Sequence, residues 1–229
     1  SLYSNLKETK MATKKTVLTK DKIVSYYMDH VVEHNEKPKS IYQFAKNNGF
    51  SEAEFYTFFG TLEAIEKEIF IQFFDKTIEL LEKNPAYPSY EMRSKLLSFY
   101  FTFFELLTAN RSYVLYALQQ HKNQLKNVML LADIRKKFKN YIGEITTDDF
   151  RIQIERFQEY QEKATTESLW IQFLLTLKFW MDDSSAGFEK TDIYIEKSVK
   201  AAFELMNITP IESLIDFGKF IFKEKIQKN

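Results

Sequence analysis

The chain has 229 residues, of which only 5 are glycine and 4 are proline, a composition that disfavours turn-rich β folds and glycine-dependent nucleotide-binding folds. Basic and acidic residues balance at 32 each, which excludes a global electrostatic attraction to DNA or to anionic membranes. The absence of cysteine excludes disulfides, thiolate catalysis and cysteine-based zinc sites, and it is compatible with a reducing cytoplasm.

The N-terminal segment, residues 1–18, is predicted to be a leader or a flexible arm. Met11 is a plausible native start, so residues 1–10 are left out of the predicted fold. Lys14 and Lys15 begin a basic run that would contact DNA phosphates or a minor groove, and a solvated, disordered tail is the alternative. Because the sequence has no 18-residue charge-free apolar run, we predict a cytoplasmic protein without a membrane span.

The next segment, residues 19–65, is predicted to form three short helices. The first covers residues 21–34, where apolar residues recur at helical spacing. Ser40 and Ser51 each stand three positions before a Gln or Glu, so each is predicted to cap a further helix through a capping box. Between these two helices, Gly49 suits the left-handed residue of a helix C-cap. The pattern therefore predicts a helix followed by a second helix, a tight turn and a third.

A fourth helix is predicted from Leu62 to about residue 84, where Pro85 prevents its continuation. It would connect the N-terminal domain to a second helical domain at residues 85–229. Short polar or glycine-bearing segments divide that second domain into helices predicted at 90–109, 111–139, 148–163, 166–182, 189–206 and 210–226.

The second domain contains many of the chain's 22 phenylalanines and 13 tyrosines. Its first helix, 90–109, is apolar on nearly every side, as expected of a helix that is packed all round or borders a cavity. Each ring taken alone is more simply a core residue, but together the rings predict a pocket for an apolar, flat or lipid-like molecule. The predicted pocket residues are Phe101, Phe104, Tyr113, Tyr116, Trp170 and Phe173.

Residues 40–65 resemble the helix-turn-helix signature of the tetracycline-repressor (TetR) family of transcriptional regulators, in a register without gaps. The matching positions are Ser40, Phe44, Ala45, Gly49, Phe50, Ser51, Phe55, Tyr56, Phe59, Glu63 and Ile65. The physical roles agree, because Ala45 is small where two helices cross and the four phenylalanines can form a miniature core. The resemblance implies an all-α fold, with an N-terminal three-helix helix-turn-helix domain and a C-terminal helical bundle for ligand binding and dimerisation.

The resemblance also assigns roles in DNA binding. The third helix would face a major groove, and Tyr56, Ser40 and Ser51 would contact phosphates. The complete set of predicted DNA-binding residues is Ser40, Lys46, Ser51, Glu52, Ala53, Tyr56 and Thr57, together with Lys14 and Lys15 of the arm. The helices predicted at 166–182 and 189–206 correspond to those that the family uses for a two-fold dimer, which implies a homodimer on a palindromic operator in double-stranded DNA.

Two departures from the family pattern leave a second function open. Leu62 replaces the lysine at the start of the fourth helix, and residues 40–60 contain Lys46 against Glu52 and Glu54. Phosphate contacts dominate DNA affinity, so this surface is unusually acidic for DNA binding. The sequence therefore predicts a ligand-responsive, DNA-binding repressor, and the alternative is a protein of the same fold that has lost DNA binding and binds an apolar small molecule or lipid.

Three patterns that would suggest catalysis have simpler interpretations. His30 and His34 belong to an H-x-x-E-H sequence, but a zinc site needs a third protein ligand, and histidines are favourable near a helix C-terminus. The pairs Asp148–Asp149 and Asp182–Asp183 are adjacent on the chain, so their carboxylates do not face one another across a substrate. We therefore predict no enzymatic activity, no cofactor and no metal site.

Overall fold

The computed structural model describes residues 17–119, 130–146 and 158–208, and within these ranges the chain contains α-helices, two short 3-10 helices and no strand. The all-α prediction is therefore confirmed. Lys14, Lys15, Asp148, Asp149 and the helix predicted at 210–226 lie outside the described residues. The helices are α1 Lys20–His34, α2 Ile41–Asn47, α3 Glu52–Tyr56, α4 Leu62–Glu82, α5 Met92–Ala109, α6 Arg111–Gln119, α7 Ala132–Ile145, α8 Gln158–Asp182 and α9 Glu189–Ile208, with 3-10 turns at Tyr87–Ser89 and Ala186–Phe188.

The chain divides into two compact units, residues 1–65 and residues 66–229. In the first unit Phe44 packs edge-on against three rings, those of Tyr27, Phe50 and Phe55, with ring centroids between 5.7 and 6.3 Å apart. Phe44 and Phe55 are completely buried, and Phe59 is buried as well. The predicted miniature core of phenylalanines is therefore confirmed, and it joins α1, α2 and α3.

Local chemistry fixes the ends of the first helices. The Thr19 hydroxyl accepts a hydrogen bond from the Lys22 amide (3.3 Å), and the Ser40 hydroxyl accepts one from the Gln43 amide (3.1 Å). Gly49 has a φ of 75°, the left-handed conformation that glycine adopts without strain, and the Phe50 amide then bonds back to the Ala45 carbonyl (3.1 Å). The tight turn between α2 and α3 is therefore confirmed.

The second unit is built around α5, which buries Leu96, Phe99, Tyr100, Phe103 and Phe104 among other residues. Helices α7 and α8 supply the facing rings. Three predicted helix boundaries are wrong. Helix α7 begins at Ala132, directly after the turn residue Leu131, inside the segment 111–139 that was predicted as one helix, and it continues to Ile145, beyond the predicted end. Helix α8 begins by Gln158 and passes without a break through the boundary predicted between 163 and 166. Thr165 is buried inside α8, so the polar pair Thr165–Thr166 does not interrupt the helix.

Arg111 joins three elements of the second unit. Its guanidinium donates hydrogen bonds to the carbonyls of Trp180 (2.9 Å), Met181 (3.1 Å) and Asp183 (3.1 Å) at the end of α8. The same group lies 4.4 Å from the ring centroids of both Trp180 and Phe188. The last carbonyls of a helix lack intrahelical donors, so Arg111 satisfies them while its charge is favourable at a helix C-terminus.

Candidate nucleic-acid interface and ligand region

The surface that would meet DNA is formed by α2, α3 and the turn between them. Ala53, Tyr56 and Thr57 are exposed on and directly after α3, and Glu52 is half-buried beside them. Ser40 and Lys46, at the two ends of α2, are also exposed. The fold therefore brings the sequence-predicted residues of the first unit onto accessible positions, where the predicted interface requires them.

Ser51 is already engaged by a carboxylate of its own helix. Its amide donates to Glu54 Oε2 (2.7 Å), its hydroxyl donates to the same oxygen (2.8 Å), and the hydroxyl oxygen accepts from the Glu54 amide (3.1 Å). The capping box predicted at Ser51 is therefore confirmed, whereas at Ser40 only the bond from the Gln43 amide to the serine hydroxyl is formed. Because Glu54 occupies both donors of Ser51, a phosphate at this position would have to displace a negative charge that the helix N-terminus stabilises.

Ser40 differs from Ser51 in this respect. Its hydroxyl oxygen accepts from the Gln43 amide, which leaves the hydroxyl proton able to donate to an incoming anion. The neighbouring Lys39, which the sequence interpretation missed, is exposed directly before this cap. A lysine next to an N-cap serine was the sequence signal that could have identified it. Ser40 with Lys39 is thus better suited to phosphate than Ser51.

Tyr56, which the resemblance assigns to a phosphate, has a carboxylate partner. Its hydroxyl donates a hydrogen bond to Glu52 Oε1 across one helical turn (3.2 Å). Desolvation, together with the hydrogen bond and the negative charge of Glu52, raises the pKa of Tyr56, so the phenol stays protonated at neutral pH. The hydroxyl can reach a phosphate only if it leaves Glu52, since its single proton serves one acceptor at a time.

The predicted pocket residues occupy different surroundings. Phe104 and Phe173 are buried with centroids 6.3 Å apart, and Trp170 stacks on Phe173 at 5.1 Å. Tyr113 is buried on α6, whereas Phe101 and Tyr116 are partly exposed. The structure therefore brings three of the six together as the ring cluster, which consists of Phe99, Tyr100, Phe103, Phe104, Phe138, Trp170 and Phe173.

A chain of polar side chains begins at Tyr100 of the ring cluster. The Tyr100 hydroxyl donates to Gln172 Oε1, and Gln172 Nε2 donates to Ser198 Oγ (2.9 Å) and to Thr176 Oγ1 (3.2 Å). Burial raises the pKa of Tyr100 well above its ordinary value, so the phenol remains a neutral donor. These bonds connect α5, α8 and α9, and they tie the Gln172 amide to the Tyr100 hydroxyl of the cluster. An apolar molecule with one polar group could contact the aromatic rings of the cluster and hydrogen-bond to the Gln172 amide.

A family model described as a tetracyclin repressor-like C-terminal domain matches residues 95–221, which is more than half of the chain. The chain belongs to the tetracycline-repressor family. The family prediction made from residues 40–65 is therefore confirmed by an independent part of the sequence. No curated protein matches the chain.

The matched region runs from residue 95, inside α5, to beyond the end of α9, so the ring cluster lies in the C-terminal domain of this tetracycline-repressor-like regulator. Regulators of the family are generally not enzymes, and the two aspartates of the Asp182–Asp183 pair have separate structural partners. Asp182 pairs with Lys178 (2.7 Å), while Asp183 accepts hydrogen bonds from Ser185 and Thr191. The described helices include none that is long and apolar enough to cross a membrane.

The histidine pair of this regulator lies at the end of α1. The rings of His30 and His34 stack with centroids 4.4 Å apart, and His34 Nδ1 bonds to the His30 carbonyl (3.0 Å). Burial and the neighbouring His34 lower the pKa of His30, which favours its neutral form. Among the described residues no group of three or more His, Cys, Asp or Glu converges as a metal site would require.

Proposed function

We propose that this protein is a ligand-responsive transcriptional regulator of the tetracycline-repressor type, a repressor that binds a palindromic DNA operator as a homodimer. The observation that carries the proposal is the exposed α2–turn–α3 surface, which stands on a buried phenylalanine core in a chain of this family. Ala53, Tyr56 and Thr57 would face a major groove, with phosphate contacts from Ser40, Lys39 and Lys46.

Exposed apolar side chains on the last two described helices support the homodimer. Ile171 and Leu175, one turn apart on α8, are 56% and 54% exposed, and Ile193 on α9 is 50% exposed. The partly exposed rings of Phe179 and Tyr194 stack between the same two helices, with centroids 4.4 Å apart. Apolar groups on adjacent helices favour burial against a second copy, and a two-fold interface would use the same patch on both subunits.

The effector proposed for this regulator is an apolar small molecule or lipid-like compound that enters between α5 and α8. The ring cluster supplies apolar surface, and Gln172 supplies a polar group that could reorient toward a ligand. Rings of the cluster touch one another, so a ligand would have to separate them. Its binding would then favour a second arrangement of the C-terminal helices and change DNA affinity by population shift.

The decisive experiment is fluorescence anisotropy of the purified chain against a random pool of labelled duplexes, with selection and sequencing of the bound fraction. We expect a palindrome with half-sites roughly 34–36 Å apart, or a multiple of that spacing. Affinity should fall steeply between about 50 and 200 mM salt as phosphate contacts are screened. No binding at about 50 mM salt would refute the proposal.

A pair of serine variants tests the phosphate contact proposed for Ser40. Ser40→Ala removes a hydroxyl donor from the α2 N-terminus, so it should weaken binding to all sequences alike. The matched control is Ser112→Ala, on the exposed face of α6 in the second unit, which should leave DNA affinity unchanged. Equal affinities of the two variants would remove Ser40 from the interface.

A second candidate function, lipid or small-molecule binding without DNA recognition, is favoured by the acidic partners on the recognition surface. Glu54 holds both donors of Ser51, and Glu52 holds the Tyr56 hydroxyl. Both carboxylates would repel phosphates. Extraction of the purified protein with organic solvent, followed by mass spectrometry, would test this function. A stoichiometric apolar compound, with no DNA affinity at any salt concentration, would support it, and extraction of no such compound would contradict it.

A further inference from the structure

A groove with a volume of about 340 Å³ lies between α4 and α7 in the second unit. Its apolar floor is formed by Phe74, Ile78 and Tyr141. Its rim is polar and is formed by Asp75, Glu79, Glu82, Lys137, Asn140 and Glu144. On each helix the lining residues have the i, i+3 and i, i+4 spacing of neighbours on one helical face. The two helices therefore turn these side chains toward the same space. We call this space the α4–α7 groove.

Two of the four rim carboxylates have cationic partners. Asp75 pairs with Lys137 across the groove (2.8 Å), and Glu79 pairs with Lys76 (2.8 Å) and Lys83 (2.6 Å) along α4. These two lysines lower the pKa of Glu79 to about 2, so this group is ionised. Within the described part of the chain, Glu82 and Glu144 have no such partner, although both are exposed and lie on opposite helices. The uncompensated negative charge is therefore concentrated at their end of the groove.

The tyrosine hydroxyls beside that end are oriented by a backbone carbonyl. Tyr141 donates its proton to the Lys95 carbonyl (3.0 Å), so in its 2.7 Å contact with Tyr87 it must accept, and Tyr87 must donate. Burial raises the pKa of Tyr87, and the negative charges of Glu82 and Glu144 add to this effect. With its proton committed to Tyr141, the Tyr87 oxygen offers only lone pairs near the two carboxylates. This end of the groove is therefore rich in acceptors and poor in donors.

We propose that the α4–α7 groove binds an organic ammonium ion, with its charged head between Glu82 and Glu144 and its apolar body on Phe74, Ile78 and Tyr141. An ammonium group supplies the donors and the positive charge that this end needs, while the floor provides apolar contact. A bare metal ion fits less well, because no three metal-ligating side chains converge in the described residues and the volume exceeds what an ion fills.

A ligand bound in the groove would contact both α4 and α7. Helix α4 begins at Leu62, in the first unit, and Glu82 is its last residue. A ligand that favours one placement of α4 against α7 would therefore bias the helix that continues into the helix-turn-helix unit. This regulatory consequence rests on the proposed function, whereas binding itself does not. The site is separate from the ring-cluster region proposed for the apolar effector, although Phe99 of that cluster touches Phe74 and Tyr141.

The test is a ligand-observed NMR titration of the full chain with hexylammonium chloride at low salt, compared with hexanol and sodium hexanoate. We expect the ammonium to bind at least tenfold more tightly than either analogue. In a series from butylammonium to octylammonium, affinity should rise by up to roughly fourfold per methylene as the floor is covered. Equal binding of the alcohol or the carboxylate would overturn the proposal, as would tight magnesium binding that displaces the ammonium.

The variant Glu82→Gln/Glu144→Gln keeps the shape of the rim and removes its charge. We expect it to lose tenfold or more in hexylammonium affinity, while Glu105→Gln, an exposed substitution on α5, changes nothing. Unchanged ammonium binding by the double variant would place the ligand elsewhere and overturn the proposal. A parallel DNA titration separates the two hypotheses, because ammonium binding without DNA binding would refute only the regulator, and DNA binding without ammonium binding would refute only the groove.

Discussion

The hydrogen bond between Tyr56 and Glu52 competes with the DNA contact that the family resemblance assigns to Tyr56. The Tyr56 hydroxyl is exposed where a phosphate contact is expected, but its proton is donated to Glu52. An exposed ion or hydrogen-bond pair of this kind contributes little to stability, so its main effect is on what else the tyrosine can bind. The i, i+4 spacing of the two residues would have allowed this contact to be predicted from the sequence.

Replacing Glu52 with Gln should therefore strengthen DNA binding. The variant removes a negative charge from the recognition surface and leaves an amide that competes less strongly for the Tyr56 proton. We expect an affinity gain of about two- to fivefold for duplexes at low salt, an order-of-magnitude figure for one exposed charge. Fluorescence anisotropy on a duplex of fixed sequence would measure it.

The matched control is Glu33→Gln, which removes one exposed carboxylate from α1 of the same unit. An equal gain in both variants would mean that only net charge matters and that Glu52 has no special position. A weaker Glu52→Gln variant would instead indicate that Glu52 contacts a base, as an acceptor from the cytosine amino group.

At the scale of elements, the junction between α8 and α9 depends on Asp183. Its carboxylate accepts from the amide and hydroxyl of Ser185 (2.8 and 2.7 Å) and from those of Thr191 (2.9 and 2.7 Å). Burial by itself would raise the pKa of Asp183, but these four hydrogen bonds lower it to about 2. The group therefore stabilises the folded chain above its ordinary pKa, and that contribution is lost as the pH falls toward 2.

An Asp183→Asn variant should unfold more easily at neutral pH, by about 2 kcal/mol, because charge-assisted hydrogen bonds become neutral and one acceptor oxygen becomes a donor. Urea unfolding of both proteins would measure the difference. Between about pH 4 and pH 2 the difference should shrink, because the Asp183 carboxylate of the unfolded wild-type chain takes up a proton there while that of the folded chain stays largely ionised. Asp182→Asn is the control, since Asp182 pairs only with exposed Lys178 in the described structure. A difference between wild type and Asp183→Asn that does not depend on pH would contradict this role for the carboxylate.

The elements were predictable wherever local chemistry defines their ends. Serine caps and a left-handed glycine specify α2 and α3 within a few residues, and these signals can be read from the sequence. The start of α8 could not be located in the same way. Thr165 is a weak helix former, but it is buried within the fold, where tertiary packing outweighs propensity. Similarly, α7 extends past residue 139 because Tyr141, Ile142 and Ile145 are buried in the core of the second unit.

At the scale of the whole molecule, the class of the protein was more predictable than its binding sites. The cap, turn and core positions of residues 40–65, matched together in one register, indicated the family, because such positions constrain residue type. The composition of the second unit indicated an interior rich in aromatic side chains. Only long-range packing decides that Phe173 contacts Phe103, Phe104 and Phe138 while Phe101 stays partly exposed. The α4–α7 groove was not predicted, because its lining comes from two helices that are far apart in the sequence.

The proposed homodimer gives a prediction that involves the complete molecule. Leu175, on α8 one turn from Ile171, is 54% exposed. A glutamate at this position would place a charge in the centre of the proposed two-fold patch, close to the same charge on the second subunit. We expect Leu175→Glu to shift the protein from dimer to monomer in analytical ultracentrifugation, with little change in its unfolding midpoint. DNA affinity should also fall, because a monomer binds one half-site without the contribution of a second, linked subunit on the other half-site. Val32→Glu, at a 50% exposed site on α1, should leave the dimer intact. If Leu175→Glu remains dimeric, the interface lies elsewhere.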